Sequence, residues 1–131
     1  MAKILVVDDD ESVLLVVSEV FRDAGHAVVA AFNAAATWTL LEGVDAAFVD
    51  HHLGTESGLA VIARIRAYDS ALPVVLMTGD APDRAAMLAK RAGALDVLIK
   101  PFDIDILSAA LERALRPSAR IEARALPNEY P

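Results

Sequence analysis

Cysteine is absent from the 131-residue chain, which removes disulfides, thiolate metal sites and thiol nucleophiles in one step. Positive charge is scarce: 12 Lys and Arg stand against 19 Asp and Glu, a formal net charge of -7. Nucleic-acid binding needs a basic patch to neutralise phosphates, so that class of partner is disfavoured. Long apolar runs are missing as well. The opening MAKILVVDDD reaches charge within its first ten positions and offers neither a signal-peptide core nor a membrane span. A soluble cytoplasmic protein with no membrane partner is the expectation. No glycine-rich phosphate loop is present, since Gly79 and Gly93 stand alone, and nucleotide binding is unsupported.

What the chain does have is apolar residues, 56% of the total, enough to cover a core on both sides. They fall into an alternation of short β-rich runs and helix-length amphipathic stretches. KILVV (3–7), AVVAA (27–31), DAAFVD (45–50), PVVLM (73–77) and DVLI (96–99) are continuous enough to be strands buried on both faces. Following them in turn are SVLLVVSEVFRDA, AAATWTLLE, GLAVIARIRAY, a helix started by Asp80 or Ala81 with Pro82 in its first turn, and IDILSAALERALR. Asp10, Asn33, Ser57 and Asp103 are placed to cap, and Gly25, Gly43 and Gly93 to close. Five strand–helix units in strict order predict one α/β domain, a doubly wound parallel sheet with helices on both faces. A barrel would need many more residues. Residues 1–117 form the expected domain; 118–131, lacking a clean apolar period, are expected to be a tail or arm.

Ligands in such sheets bind beyond the carboxyl ends of the strands. Strand one ends in Asp8, Asp9 and Asp10, strand three in Asp50, strand four in Thr78 and strand five in Lys100. Clustered carboxylates repel unless a cation joins them, and hard oxygen donors without cysteine suit Mg²⁺ rather than zinc. A lysine and a hydroxyl beside that ion suit the remaining oxygens of a phosphoryl group.

ILVVDDDES, FVDHHLGTESGLAVIARIR, VVLMTGD and LIKPF, in this order, resemble the receiver domain of two-component response regulators, the CheY-like superfamily, over about residues 3–116. The resemblance implies a flavodoxin-like strand order 2-1-3-4-5 with five helices, and a stand-alone domain acting without a DNA-binding output. It implies that Asp50 accepts a phosphoryl group from a histidine kinase or histidine phosphotransfer protein, with Mg²⁺ or Mn²⁺. Asp9, Asp50 and the backbone carbonyl of His52 would be direct metal ligands, and Asp8 a ligand through water. Thr78 would hydrogen-bond the phosphoryl group and Lys100 would pair with it; Lys100–Pro101 would be cis. A downstream protein would receive the signal by docking.

The sequence departs from that pattern in three places. Gly54 stands where proline is common, so a less constrained loop is expected. Val97 stands where an aromatic commonly serves the switch. His52 occupies a position that influences phosphate lifetime, and its side chain is expected to tune acyl-phosphate hydrolysis. From side-chain alternation, His51 is expected to face away from Asp50 and to have no chemical role, and Asp10 to be a helix cap. His26 is expected in a solvated turn, and Trp38 partly packed on its short helix.

Two other readings compete. A small Mg²⁺-dependent phosphatase resembling the haloacid-dehalogenase class would use Asp8 as nucleophile and Asp10 as its second acid, leaving Asp50 idle. An unphosphorylated scaffold would be expected to lack one of the acids, the threonine or the lysine, and none is missing.

Overall fold

The computed structural model describes residues 1–130. Its elements run β1 (Lys3–Val7), α1 (Glu11–Asp23), β2 (Ala27–Ala31), α2 (Ala34–Thr37), β3 (Ala46–Asp50), β4 (His52–Leu53), β5 (Glu56–Ser57), α3 (Gly58–Tyr68), β6 (Val74–Thr78), α4 (Pro82–Ala92), β7 (Asp96–Ile99), α5 (Ile104–Ala114) and α6 (Ala119–Ala125). The five long strands pair in parallel in the order β2-β1-β3-β6-β7. That is the expected flavodoxin-like order, with the strand numbers displaced by the two-residue hairpin β4–β5.

Side chains alternate across the sheet, and each face has its own core. Leu5, Val7, Ala47, Val49, Val74 and Leu76 pack with Val61, Ile62 and Ile65 of α3 and Leu88 and Ala89 of α4. Ile4, Val6, Ala46, Phe48, Val75 and Met77 pack on the other face, with Leu14, Val17 and Phe21 of α1 and Leu107 and Leu111 of α5. Phe21 meets Phe48 with ring centroids 4.8 Å apart and tilted by 55°, fixing α1 over the middle strand. Each buried Val, Leu, Ile, Phe or Met side chain among them contributes about 1.5–3 kcal/mol. Capping follows the sequence: the carboxylate of Asp10 accepts from the backbone N–H groups of Ser12 and Val13, and Asp103 accepts from Ile106. Gly93 ends α4 in the left-handed conformation at φ 80°.

Two elements differ from the sequence pattern. The helix expected over AAATWTLLE is a single turn, α2. Thr37 and Thr39 donate their hydroxyls to the carbonyls of Asn33 and Ala36, a local competition that disfavours further helix. Trp38 beyond it lies under the guanidinium of Arg64, 4.0 Å from the ring centroid.

The segment expected to be a tail or arm carries a sixth helix beyond the five expected, α6, docked through buried Ala119 and Ala123. Its small apolar residues, four apart, are too few for a visible period but enough to seat one turn. Beyond it, Glu129 donates its backbone N–H to the carbonyl of Arg91, and the Tyr130 hydroxyl lies 3.4 Å from Ser57 Oγ. His26, expected to be solvated, is half-buried and accepts from the backbone N–H of Ala2 at 3.0 Å. No helix among the described residues is long and apolar enough to cross a membrane.

Candidate functional site

The carboxyl ends of β1, β3, β6 and β7 bring together the residues that the strand-end reasoning singled out. Asp8 is fully buried, Asp50 nearly so, and Asp9 exposed at the rim. One carboxylate oxygen from each lies within 4.8 Å of the others, a set that could hold one divalent ion. Lys100 Nζ lies 2.9 Å from Asp50 Oδ1 and 3.1 Å from Asp8 Oδ2. The Lys100–Pro101 peptide that follows is cis.

The charge balance explains the arrangement. Burial is the main cause of a raised pKa at Asp8, aided by the charge of Asp50 and opposed by the Asp10 N–H and by Lys100. Burial alone would lower Lys100, but hydrogen bonds and charges from Asp50 and Asp8 outweigh it and raise its pKa. One ammonium against three carboxylates leaves an anionic hollow. An all-oxygen donor set with uncompensated charge fits Mg²⁺ or Mn²⁺.

Both oxygens of Asp8 are engaged: Oδ1 accepts from the Asp10 N–H at 2.9 Å, and Oδ2 contacts Lys100. A fully buried carboxylate so occupied is poorly placed to attack a substrate, which weighs against the phosphatase reading. Asp10 itself serves as a helix cap.

Gly54 corrects an expectation. Its loop is tied down rather than loosened, because its N–H donates to Asp9 Oδ2 at 2.9 Å with φ at +65°. Proline could supply neither that N–H nor that φ. The same positive φ, in the first of two residues between paired Leu53 and Glu56, suits the tight hairpin β4–β5.

Thr78 is fully buried, and its hydroxyl does not stand alone. It accepts from the Asp80 N–H at 3.1 Å and lies 3.2 Å from His51 Nδ1. His51 is therefore no bland loop residue. It is buried, 3.0 Å from Asp80 Oδ2 as well, and stacked on exposed His52 with centroids 4.1 Å apart. Burial, then the neighbouring charge of His52, lowers its pKa, against the opposing pull of Asp80.

Side-chain alternation turns His51 away from Asp50, onto the face of Val49 and Leu76, but does not name its partner. The parallel register was the better signal: Asp50 pairs with Met77, so the next residue of each strand, His51 and Thr78, fall side by side. Gly58 was also missed. Its N–H donates to the His51 carbonyl at 2.7 Å, and a Cβ there would collide with the backbone carbonyl of Asp50. Only glycine lets α3 start this close to the end of β3. Val97, where the sequence lacks an aromatic, packs half-buried against the α3–α4 core.

A parallel sheet in this order, with three acids, a threonine and a lysine on its strand ends, defines a receiver fold. Residues 4–112 match the response regulator receiver domain family, and the chain belongs to it. The transcriptional regulatory protein ZraR of Escherichia coli is 38% identical over 122 residues, covering 92% of this chain and 28% of that protein. The chain thus spans little more than a quarter of the curated relatives it matches. The receiver domain of NtrX from Brucella abortus is 34% identical, with a TM-score of 0.82 over 88% of this chain and 99% of that one. Chemotaxis protein CheY4 of Vibrio cholerae is 27% identical, with a TM-score of 0.81 over 88% and 99%.

Proposed function

We propose that Asp50 accepts a phosphoryl group from the phosphohistidine of a histidine kinase or phosphotransfer protein, in the cytoplasm, and that the phosphorylated domain signals by docking to another protein. The observation that carries this reading is the Lys100 ammonium bridging Asp50 and Asp8 beside the third acid, Asp9. In the transfer, an Asp50 oxygen forms the new O–P bond as the N–P bond of the donor breaks, and the electron pair leaves with the imidazole. Mg²⁺ or Mn²⁺ held by Asp9, Asp50 and the His52 carbonyl, with Asp8 acting through water, would neutralise phosphoryl charge.

The protein's own groups do the rest. Lys100, already on Asp50, is placed to pair with a phosphoryl oxygen. Thr78 can exchange its contact with His51 for a hydrogen bond to the phosphoryl group. With no aromatic at Val97, that exchange is the switch element we assign to this chain. The His52 side chain is proposed to set phosphate lifetime by contacting the attacking water. Unchanged dephosphorylation in both His52→Ala and His52→Asn would sink that part. The chain is proposed not to be an enzyme beyond slow loss of its own phosphate. Acetyl phosphate with Mg²⁺ should label Asp50 and fail to label Asp50→Asn. Label that survives Asp50→Asn and disappears in Asp8→Asn would favour the phosphatase reading.

A further inference from the structure

A second convergence of ligand atoms lies beside the three aspartates and uses none of them. One donor atom each from His51, His52 and Asp80 lies within 4.8 Å of the others. Two of these, His51 Nδ1 and Asp80 Oδ2, are 3.0 Å apart. Tetrahedral zinc, with bonds of about 2.0–2.2 Å, sets neighbouring ligand atoms roughly 3.3 Å apart, so little movement is needed. The imidazoles are stacked, with 23° between their planes, so exposed His52 must turn out of the stack to aim a nitrogen lone pair at an ion shared with His51.

The groups beside Asp80 leave it open to a stronger cation. Asp80 Oδ2 is buried and accepts no hydrogen bond among the described residues. The nearest nitrogen, His51 Nδ1 at 3.0 Å, is shared with Thr78 Oγ1 at 3.2 Å. A buried carboxylate oxygen served only by a shared imidazole nitrogen is under-compensated, and such groups ordinarily have a full partner. Arg84 is the nearest competing cation, its Nε 3.8 Å from the same oxygen. Its side chain is 62% exposed, and an exposed ion pair of that length is weak enough to yield.

We propose that His51, His52 and Asp80 form a site for a borderline divalent transition metal of the zinc class, with water completing the coordination. Two imidazoles and one carboxylate select Zn²⁺, Ni²⁺ or Cu²⁺ over Mg²⁺, whereas the three aspartates select the reverse. Exposed His52 provides the entry from solvent. The neighbouring clusters thus sort two kinds of ion by donor chemistry.

The test is titration of the metal-free full chain with Zn²⁺ by calorimetry, and with Co²⁺ by visible absorption. One-to-one binding is expected, with the absorption of four-coordinate cobalt and two imidazoles in the zinc X-ray absorption spectrum. Binding should survive in the Asp9→Asn, Asp50→Asn double variant. It should weaken by about tenfold or more in His52→Ala and in Asp80→Ala, with circular dichroism confirming that both fold. Absence of saturable binding would overturn the site. So would binding that both single variants retain, or binding that only the double variant loses, which would place the ion on the aspartates.

Discussion

His51 Nδ1 and Thr78 Oγ1 stand 3.2 Å apart, buried together at the ends of neighbouring strands. A hydrogen bond of this kind is worth about 0.5–1.5 kcal/mol net, which is the bias His51 places on the Thr78 hydroxyl. His51→Ala removes the bias and leaves the hydroxyl free for a group on Asp50. Affinity for beryllofluoride, a mimic of the acyl phosphate, should therefore rise about 2- to 12-fold over the parent chain. Unchanged or weaker binding, measured by fluorine NMR, would show that the contact does not restrain Thr78.

Gly58 tests how closely α3 must approach the end of β3, the strand that carries Asp50. Gly58→Ala sets a methyl against the Asp50 carbonyl and strains the Gly58 N–H to His51 carbonyl bond. Overpacking of this sort costs about 1–3 kcal/mol, to be read from urea denaturation. Labelling by acetyl phosphate should slow as well, because the carboxylate rides on the displaced backbone. A variant with parental stability and labelling would mean that the loop adjusts freely.

Strands were legible because burial on both faces leaves an unbroken apolar run, as in Ile4–Val7 and Val74–Met77. The same logic exposed the acids, Thr78 and Lys100, since polar residues directly behind such runs must stand at the strand ends. The partnership of His51 with Thr78 was less legible, because it depends on which strands are neighbours and in what register. Asp80, two residues past the strand, gave no signal of its own. The docking of α6 was hidden for another reason. Its main anchor is Arg66, an arginine in the last turn of α3 that reads in sequence as an ordinary surface charge.

Lys100 should matter to stability as well as chemistry. Without it, buried Asp8 and Asp50 face each other with no cation between them. Breaking a buried pair costs about 3–5 kcal/mol, and partial exposure of Lys100 reduces the expectation for Lys100→Ala to about 1–3 kcal/mol. Mg²⁺ should recover part of the loss, because a cation again shares the hollow. In the parent chain Mg²⁺ at ten times its Kd should add about 1.4 kcal/mol, and Asp9→Asn should abolish that gain. Denaturation curves in EDTA and in Mg²⁺ distinguish the cases; equal shifts in parent and Asp9→Asn would place the ion elsewhere.

Arg66 holds the C-terminal segment to the domain, and it does so without a carboxylate. Its Nη2 donates to the carbonyls of Ala123 at 2.7 Å and Leu126 at 3.0 Å, and its Nη1 to Pro127 at 3.2 Å. Burial lowers its pKa, but an arginine stays cationic under any working condition. A fixed positive charge at the carbonyl end of α6 therefore meets both the carbonyls of its last turn, of which Ala123's also accepts from the Leu126 N–H, and the negative end of the helix dipole. Hydrogen bonds from a charged donor are worth about 1.5–3 kcal/mol, so Arg66→Ala should detach α6 while leaving the sheet intact. Arg66→Lys should not rescue it, since one ammonium cannot span the fork that reaches three carbonyls. Hydrogen exchange should then quicken across residues 119–126 in both variants, with β1, β3 and β6 protected as before. If lysine restores protection there, charge alone anchors the helix and the geometry of the fork is incidental.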